Sequence, residues 1–258
     1  MSDDILSDLM RDYVYRSAKA GRRTDGRALD EPRKLDVEHG VVKTAEGSAR
    51  VKLGNTDVIV GIKMSVGQPY PDTPNTGVLS TTVELIPMAS PTFEAGPPRP
   101  DAIELARVVD RGIRESKMVN VAKLCITPKE KVWVMFIDIH VLDFDGNLFD
   151  ASSYGAAAAL ATTIVPAKAQ GLGDDFPLPV EHWPVSVTTA KIKDLLVVDP
   201  GLDEERMADA RLTVTTDENG DIRAMQKGLK GSFSYDEVKR IIETSQKVGR
   251  ALRPSLRP

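Results

Sequence analysis

Apolar residues change their period several times along this chain, and each change predicts an element. Ile5, Leu6, Leu9 and Val14 recur at helical intervals among charged residues, which predicts a helix over 4–20 stopped by Gly21. Strand-like stretches follow over 34–42, 48–53 and 57–64, the last two joined by Gly54-Asn55-Thr56, a hairpin signal. Residues 67–77 hold three prolines and read as a loop; 78–86 is rich in β-branched residues and reads as a strand; 88–100 is a second proline-rich excursion. Over 101–116 the period becomes helical: Leu105, Ala106, Val108, Val109, Gly112 and Ile113 fall in one apolar arc, with Arg107, Arg111 and Arg114 opposite it.

The stretch 132–142 alternates and is mostly apolar, as a strand buried on at least one face requires. Asp145-Gly146-Asn147 then turns into a helix over 151–163, where Gly155 and a run of alanines allow close backbone packing. Glycines and prolines over 168–184 predict a linker. Beyond it, strands are expected over 185–189, 191–198, 211–216 and 222–227, the last pair joined at Asn219-Gly220. The final helix is capped by Ser234 with Glu237 three residues on, and turns Val238, Ile241, Ile242, Ser245, Val248 and Leu252 inward. The sum is a mixed α/β chain in two units.

Composition narrows the function. The chain has 258 residues, 41% hydrophobic and 28% charged, as an ordinary globular protein does. No run reaches the ~18 apolar residues of a membrane span, and the acidic start is unlike a signal peptide, so a cytoplasmic protein is expected. Cys125 is the only cysteine, in an apolar stretch that suits a buried structural thiol. With net charge −4, any polyanion binding must be local. The segment 11–34 has the clearest basic excess, with Arg11, Arg16, Lys19, Arg22, Arg23, Arg27, Arg33 and Lys34. Such a cluster is ordinarily a solvated face, and sequence does not separate RNA binding from packing.

Three constellations could carry chemistry. Asp143-Phe144-Asp145-Gly146-Asn147 follows an apolar strand and resembles the DxDGT signature of magnesium-dependent phosphatases, with Asp174-Asp175 as a further acidic pair. Asn147 replaces the expected threonine, and the motif sits past the chain's midpoint, so a plain strand-to-helix turn is the simpler reading. His39, His140 and His182 show no ligand spacing, and His140 beside Asp138 suits a hydrogen-bonded structural histidine. Arg107, Arg111 and Arg114 lie within about 60° of helical arc and could meet successive phosphates of a single strand. They could equally form ion pairs, Glu104 with Arg107, Asp110 with Arg114 and Arg111 with Glu115.

An ordered set of motifs tips this balance. Arg23-Thr24-Asp25-Gly26-Arg27, Ala45-Glu46-Gly47-Ser48-Ala49, Pro69-Tyr70-Pro71-Asp72-Thr73-Pro74, Ala89-Ser90-Pro91-Thr92-Phe93-Glu94 and Ile103 through Arg111 follow one another across the chain. Together they resemble the RNase PH family, and within it the non-catalytic ring subunits of the archaeal RNA exosome. The resemblance implies an RNase PH-like α/β (α+β) fold, with a first domain over 1–184 similar to the second domain of ribosomal protein S5 and a smaller α+β domain over 185–258. It implies a hetero-hexameric ring of three heterodimers with a catalytic RNase PH-like partner, RNA-binding cap subunits, and single-stranded RNA degraded 3′→5′ by phosphorolysis or tailed in reverse.

The resemblance also implies where chemistry is missing. In catalytic relatives a turn reading roughly Asp-Gly-Gly-Ser-Arg holds the attacking phosphate; here the turn is Asp145-Gly146-Asn147-Leu148-Phe149, without the hydroxyl and the arginine. Two aspartates six residues apart, for metal binding and general-acid work, align with Glu205 and Arg211. A guanidinium with a pKa above about 12 is no general acid at neutral pH. The expectation is therefore a chain with no catalytic residue, metal or cofactor, whose Arg107, Arg111 and Arg114 contact RNA, Arg99 standing nearby. An active phosphorolytic exoribonuclease, or more remotely a phosphatase built on Asp143 and Asp145, is the alternative.

Overall fold

A computed structural model describes the backbone of residues 2–258 and the side chains of 9–258; the expected apolar positions Ile5 and Leu6 lie outside the described side chains. The elements run α1 (Ser2–Lys19), β1 (Leu35–His39), β2 (Gly47–Leu53), β3 (Thr56–Gly67), β4 (Val78–Leu85), α2 (Pro100–Glu115), β5 (Cys125–Thr127), β6 (Lys131–Asp143) and α3 (Leu148–Ala161). They continue β7 (Ile164–Val165), β8 (Phe176–Pro177), β9 (Val185–Ile192), β10 (Leu195–Val198), α4 (Leu202–Met207), β11 (Ala210–Thr216), β12 (Ile222–Gly228) and α5 (Tyr235–Leu252). No helix among the described residues is long and apolar enough to cross a membrane.

The first sheet has the order β1-β2-β3-β6-β4, with β5 beside β6. Its pairings are antiparallel except β4 with β6, which run parallel across the α2 crossover. The second sheet, β10-β9-β11-β12, is antiparallel throughout. Helix α3 lies on β2 and β3 and also touches β9, while α2 packs on β4, α3 and β12. Both helices are thus held between the two sheets, and α5 closes the outer face of β9 and β11.

This sandwiching explains the alanine run. A helix covered on both sides has no solvent face, and Ala156 through Leu160 are all at most 1% exposed. At Gly155 a Cβ would sit 2.7 Å from Cγ2 of Val60, so only glycine lets α3 approach β3 this closely. The core formed around it includes Val51, Val58, Val60, Ile137 and Ile139, and Tyr154 donates its hydroxyl to the Ser186 carbonyl at 2.7 Å.

Four expectations change. Helix α3 begins at Leu148 rather than at residue 151, because Asn147, in the left-handed region at φ 53°, caps it by accepting from the Asp150 N–H. The turn between β9 and β10 falls at Lys193-Asp194 rather than near Ala190, with Lys193 at φ 55°. The stretch 168–184 is not a free linker: β8 pairs with β7, Val180 bridges Val119, and Leu178 is buried. The apolar residues Phe176, Leu178 and Val180 alternate there among prolines, which hid the pattern. Cys125 is half-buried at the start of β5 rather than buried.

Candidate nucleic-acid interface

The basic segment 11–34 is divided: Arg16, Lys19, Arg22 and Lys34 are exposed, as a solvated face would be, Arg11 and Arg27 are half-buried, and Arg23 and Arg33 are buried. Arg23 is 2% exposed; it donates through Nε to Glu204 Oε1 at 2.8 Å, and through its terminal nitrogens to the Val198 and Asp199 carbonyls. Arg33 donates to Asp199 through Nε (2.9 Å) and Nη2 (2.8 Å) and to the Asp145 carbonyl at 2.7 Å. Arg27 reaches Asp25 and the Asp199 carbonyl. The Arg23–Arg27 motif therefore ties the loop after α1 to the β10–α4 connection.

The turn after β6 is packed rather than open. Gly146, at φ 86°, presses against the 200–202 segment, where a Cβ would meet the Gly201 carbonyl carbon at 2.6 Å. The Asn147 N–H, the kind of donor that could cradle an anion ahead of α3, donates instead to Glu205 Oε2 at 2.7 Å. The chain thus supplies its own anion at the turn. Burial raises the Glu205 carboxyl above its usual value, against the Asn147 bond and the charge of Arg211. Arg211 Nη1 lies 3.8 Å from Glu205, and its guanidinium carbon sits 3.9 Å from the centroid of the Phe149 ring.

Beneath the turn, the Asn147 amide bridges two buried carboxylates, at 2.8 Å to Asp150 and 2.6 Å to Asp199. Burial pushes Asp150 to about 7, even though Asn147 and Thr188 donate to it. Burial acts upward on Asp199 as well, but the bonds and charge of Arg33 more than offset it and hold that carboxyl below the usual range.

The phosphatase-like residues do not converge. Asp143 is exposed and accepts from its neighbour Phe144 N–H, Asp145 accepts from Asn55, and Asp175 accepts from Lys168 in the distant 168–175 loop. No group of three or more His, Cys, Asp or Glu suited to a metal occurs among the described residues. His140 faces Glu84 at 3.4 Å, while Asp138 accepts from Thr82, so the two do not form a relay.

The three arginines of α2 line one groove of about 520 Å³ together with Thr81 and Thr82 of β4 and the apolar Ala102, Ile103 and Ala106. Their states differ. Arg107 is exposed and, among the described residues, has no hydrogen-bond or ion-pair partner; Arg111 is half-buried and donates to Gln226 Oε1 at 2.9 Å. Arg114 pairs with Asp110 at 3.1 Å and reaches the Leu79 carbonyl. Of the three ion pairs open to this helix, only Asp110–Arg114 forms, since Glu104 turns to Arg211 at 3.0 Å. Arg99 pairs with the exposed Glu94. Sequence reasoning missed Gln226 and offered Glu104 to Arg107 rather than to Arg211, since both partners come from other elements, and the resemblance was the signal that singled out Glu205 and Arg211.

Two sheets with α2 and α3 between them, and a carboxylate-filled turn at the seam, define a two-domain α/β protein of the 3′ exoribonuclease type. The chain belongs to the RNase PH family: it matches the models for the 3′ exoribonuclease family, domain 1, over residues 31–166 and domain 2 over residues 182–248. It is 51% identical over 256 residues to the exosome complex component Rrp42 of Methanocella arvoryzae, covering 99% of this chain and 98% of the relative. With Rrp42 of Thermoplasma acidophilum it shares 53% over 252 residues, covering 98% and 96%. A chain of the Archaeoglobus fulgidus exosome with RNA bound to the active site superposes with a TM-score of 0.95 at 49% identity, covering 98% of this chain and all of that one (100%).

Proposed function

We propose that this chain is a non-catalytic ring subunit of an archaeal-type exosome, acting in the cytoplasm on single-stranded RNA. Its first domain, 1–184, and second domain, 185–258, build the ring together with a catalytic RNase PH-like partner in three heterodimers, under RNA-binding cap subunits. The partner degrades RNA 3′→5′ by phosphorolysis and tails it in reverse. This chain shapes the partner's cleft and contributes Arg107, Arg111 and Arg114 as phosphate contacts.

The observation that carries the inactive reading is the Asn147 N–H bonded to Glu205. A carboxylate on the anion donor of the turn leaves inorganic phosphate no charge-complementary place, and Arg211 beside it cannot serve as an acid at neutral pH. The experiment is phosphorolysis of a single-stranded oligoribonucleotide by the purified chain, by the partner, and by the two together. No nucleoside diphosphate released by this chain alone, and robust release by the assembly, is the expected outcome. Phosphate-dependent release by this chain alone would make it an active exoribonuclease; phosphomonoester hydrolysis abolished by Asp143→Asn would make it a phosphatase.

A further inference from the structure

The residues standing where catalytic relatives keep acids are not idle in this chain. Arg211 lies between two fixed surfaces, the Phe149 ring on one side and the β12 backbone at Gly228 on the other, where a Cβ would meet Nη2 at 2.6 Å. Held there, it donates to Glu104 Oε1 at 3.0 Å. Gln226 stands on β12 beside the same carboxylate, its Nε2 at 3.5 Å from Glu104 Oε1, and its Oε1 accepts from Arg111 at 2.9 Å. A continuous polar chain therefore runs from Asn147 through Glu205, Arg211, Glu104 and Gln226 to Arg111.

Glu104 is three residues before Arg107 on α2, the spacing at which a helical ion pair forms. With Glu104 engaged by Arg211, Arg107 has no partner among the described residues and stands exposed on the groove. We infer that Arg211 and Gln226 are positioning residues for RNA: Arg211 draws Glu104 away and leaves the Arg107 charge for a phosphate, while Gln226 orients Arg111 with a neutral acceptor. The inference rests on the RNA-binding reading of the α2 face. A carboxylate at 226 would neutralise Arg111, whereas an amide directs it and keeps its charge.

The test is RNA affinity of the assembled ring, with a single-stranded oligoadenylate, across a series of salt concentrations. Arg211→Met releases Glu104 to Arg107 and removes one phosphate contact. The expected result is about five-fold weaker binding at 0.1 M salt and a salt slope shallower by about 0.7. Adding Glu104→Gln to that variant should restore both affinity and slope, and Arg211→Lys, which keeps a cation for Glu104, should retain them. A general loss of structure would not be reversed by neutralising Glu104.

Should Arg211→Met fail to assemble, Gln226→Glu supplies an independent readout, with the same shallower slope expected as Arg111 is captured. An unchanged slope in Arg211→Met or in Gln226→Glu, or a double variant as weak as Arg211→Met alone, overturns the inference. Arg107→Glu in the same series separates the two levels. If it weakens binding while Arg211→Met and Gln226→Glu do not, the positioning network falls and the RNA-binding face stands; if it too has no effect, both fall.

Discussion

Arg107 carries its charge on an exposed helix face and pairs with no acidic side chain among the described residues, so reversing that charge alters what the face offers a polyanion without unpacking the helix. In the assembled ring, Arg107→Glu is expected to leave assembly intact, weaken RNA binding and slow degradation, as native mass measurement and single-turnover decay would show. Asp150 supplies a prediction of a different kind. Folding raises its carboxyl from 3.8 to about 7, with burial the main cause. Between those values the folded chain holds a proton that the unfolded chain has released, so stability falls as pH rises through the window and levels off above about 7. Asp150→Asn is isosteric and cannot ionise: it can still accept from Thr188 N–H and Asn147, and donate to the Thr188 hydroxyl. Its melting temperature should vary less between about pH 5 and about pH 8 than that of the parent chain.

Helix α3 shows what sequence reveals of an element and what it conceals. Its alanines and Gly155 announced close packing, and Gly155→Val, which drives a side chain into Val60, is expected to cost about 1–3 kcal/mol in urea unfolding. Its start was misplaced by three residues because Leu148 and Phe149 follow a turn sequence, and the signal that begins the helix is a left-handed Asn147 whose amide is held by Asp199, 52 residues away. The longer strands β2, β3, β4, β6, β11 and β12, the α2 stripe and the Ser234–Glu237 cap were legible because their periods are local, whereas the two- and three-residue strands β5, β7 and β8 are too short to show one. Helix α4 was not: at six residues it is too short to show a period, and it stands where Glu204 meets the distant Arg23. The arginine face was half legible. Spacing placed three guanidinium groups on one side of α2, but which of them is free depends on Glu104, whose partner Arg211 comes from 107 residues later.

The two sheets are joined by a few buried charges rather than by a wide apolar seam alone. Arg33 grips Asp199 with its backbone N–H and two guanidinium nitrogens while holding the Asp145 carbonyl of the turn. Arg33→Met would strip the buried Asp199 of its main cation and leave it only Arg27 Nη1 at 3.4 Å, a loss of up to about 3–5 kcal/mol that scanning calorimetry should register as a large fall in the melting temperature. The first helix belongs to the same side of the molecule. Val14 packs with Ile192 and Val197, the Tyr15 hydroxyl donates to Asp194 at 2.7 Å, and Arg11 pairs with Asp209, 198 residues onward. During synthesis α1 therefore leaves the ribosome long before its resting place exists. At 5–20 residues per second it stays undocked for about 10–40 s, an amphipathic segment open to chaperones until β10 and Asp209 emerge. The helix made early is among the last to be seated.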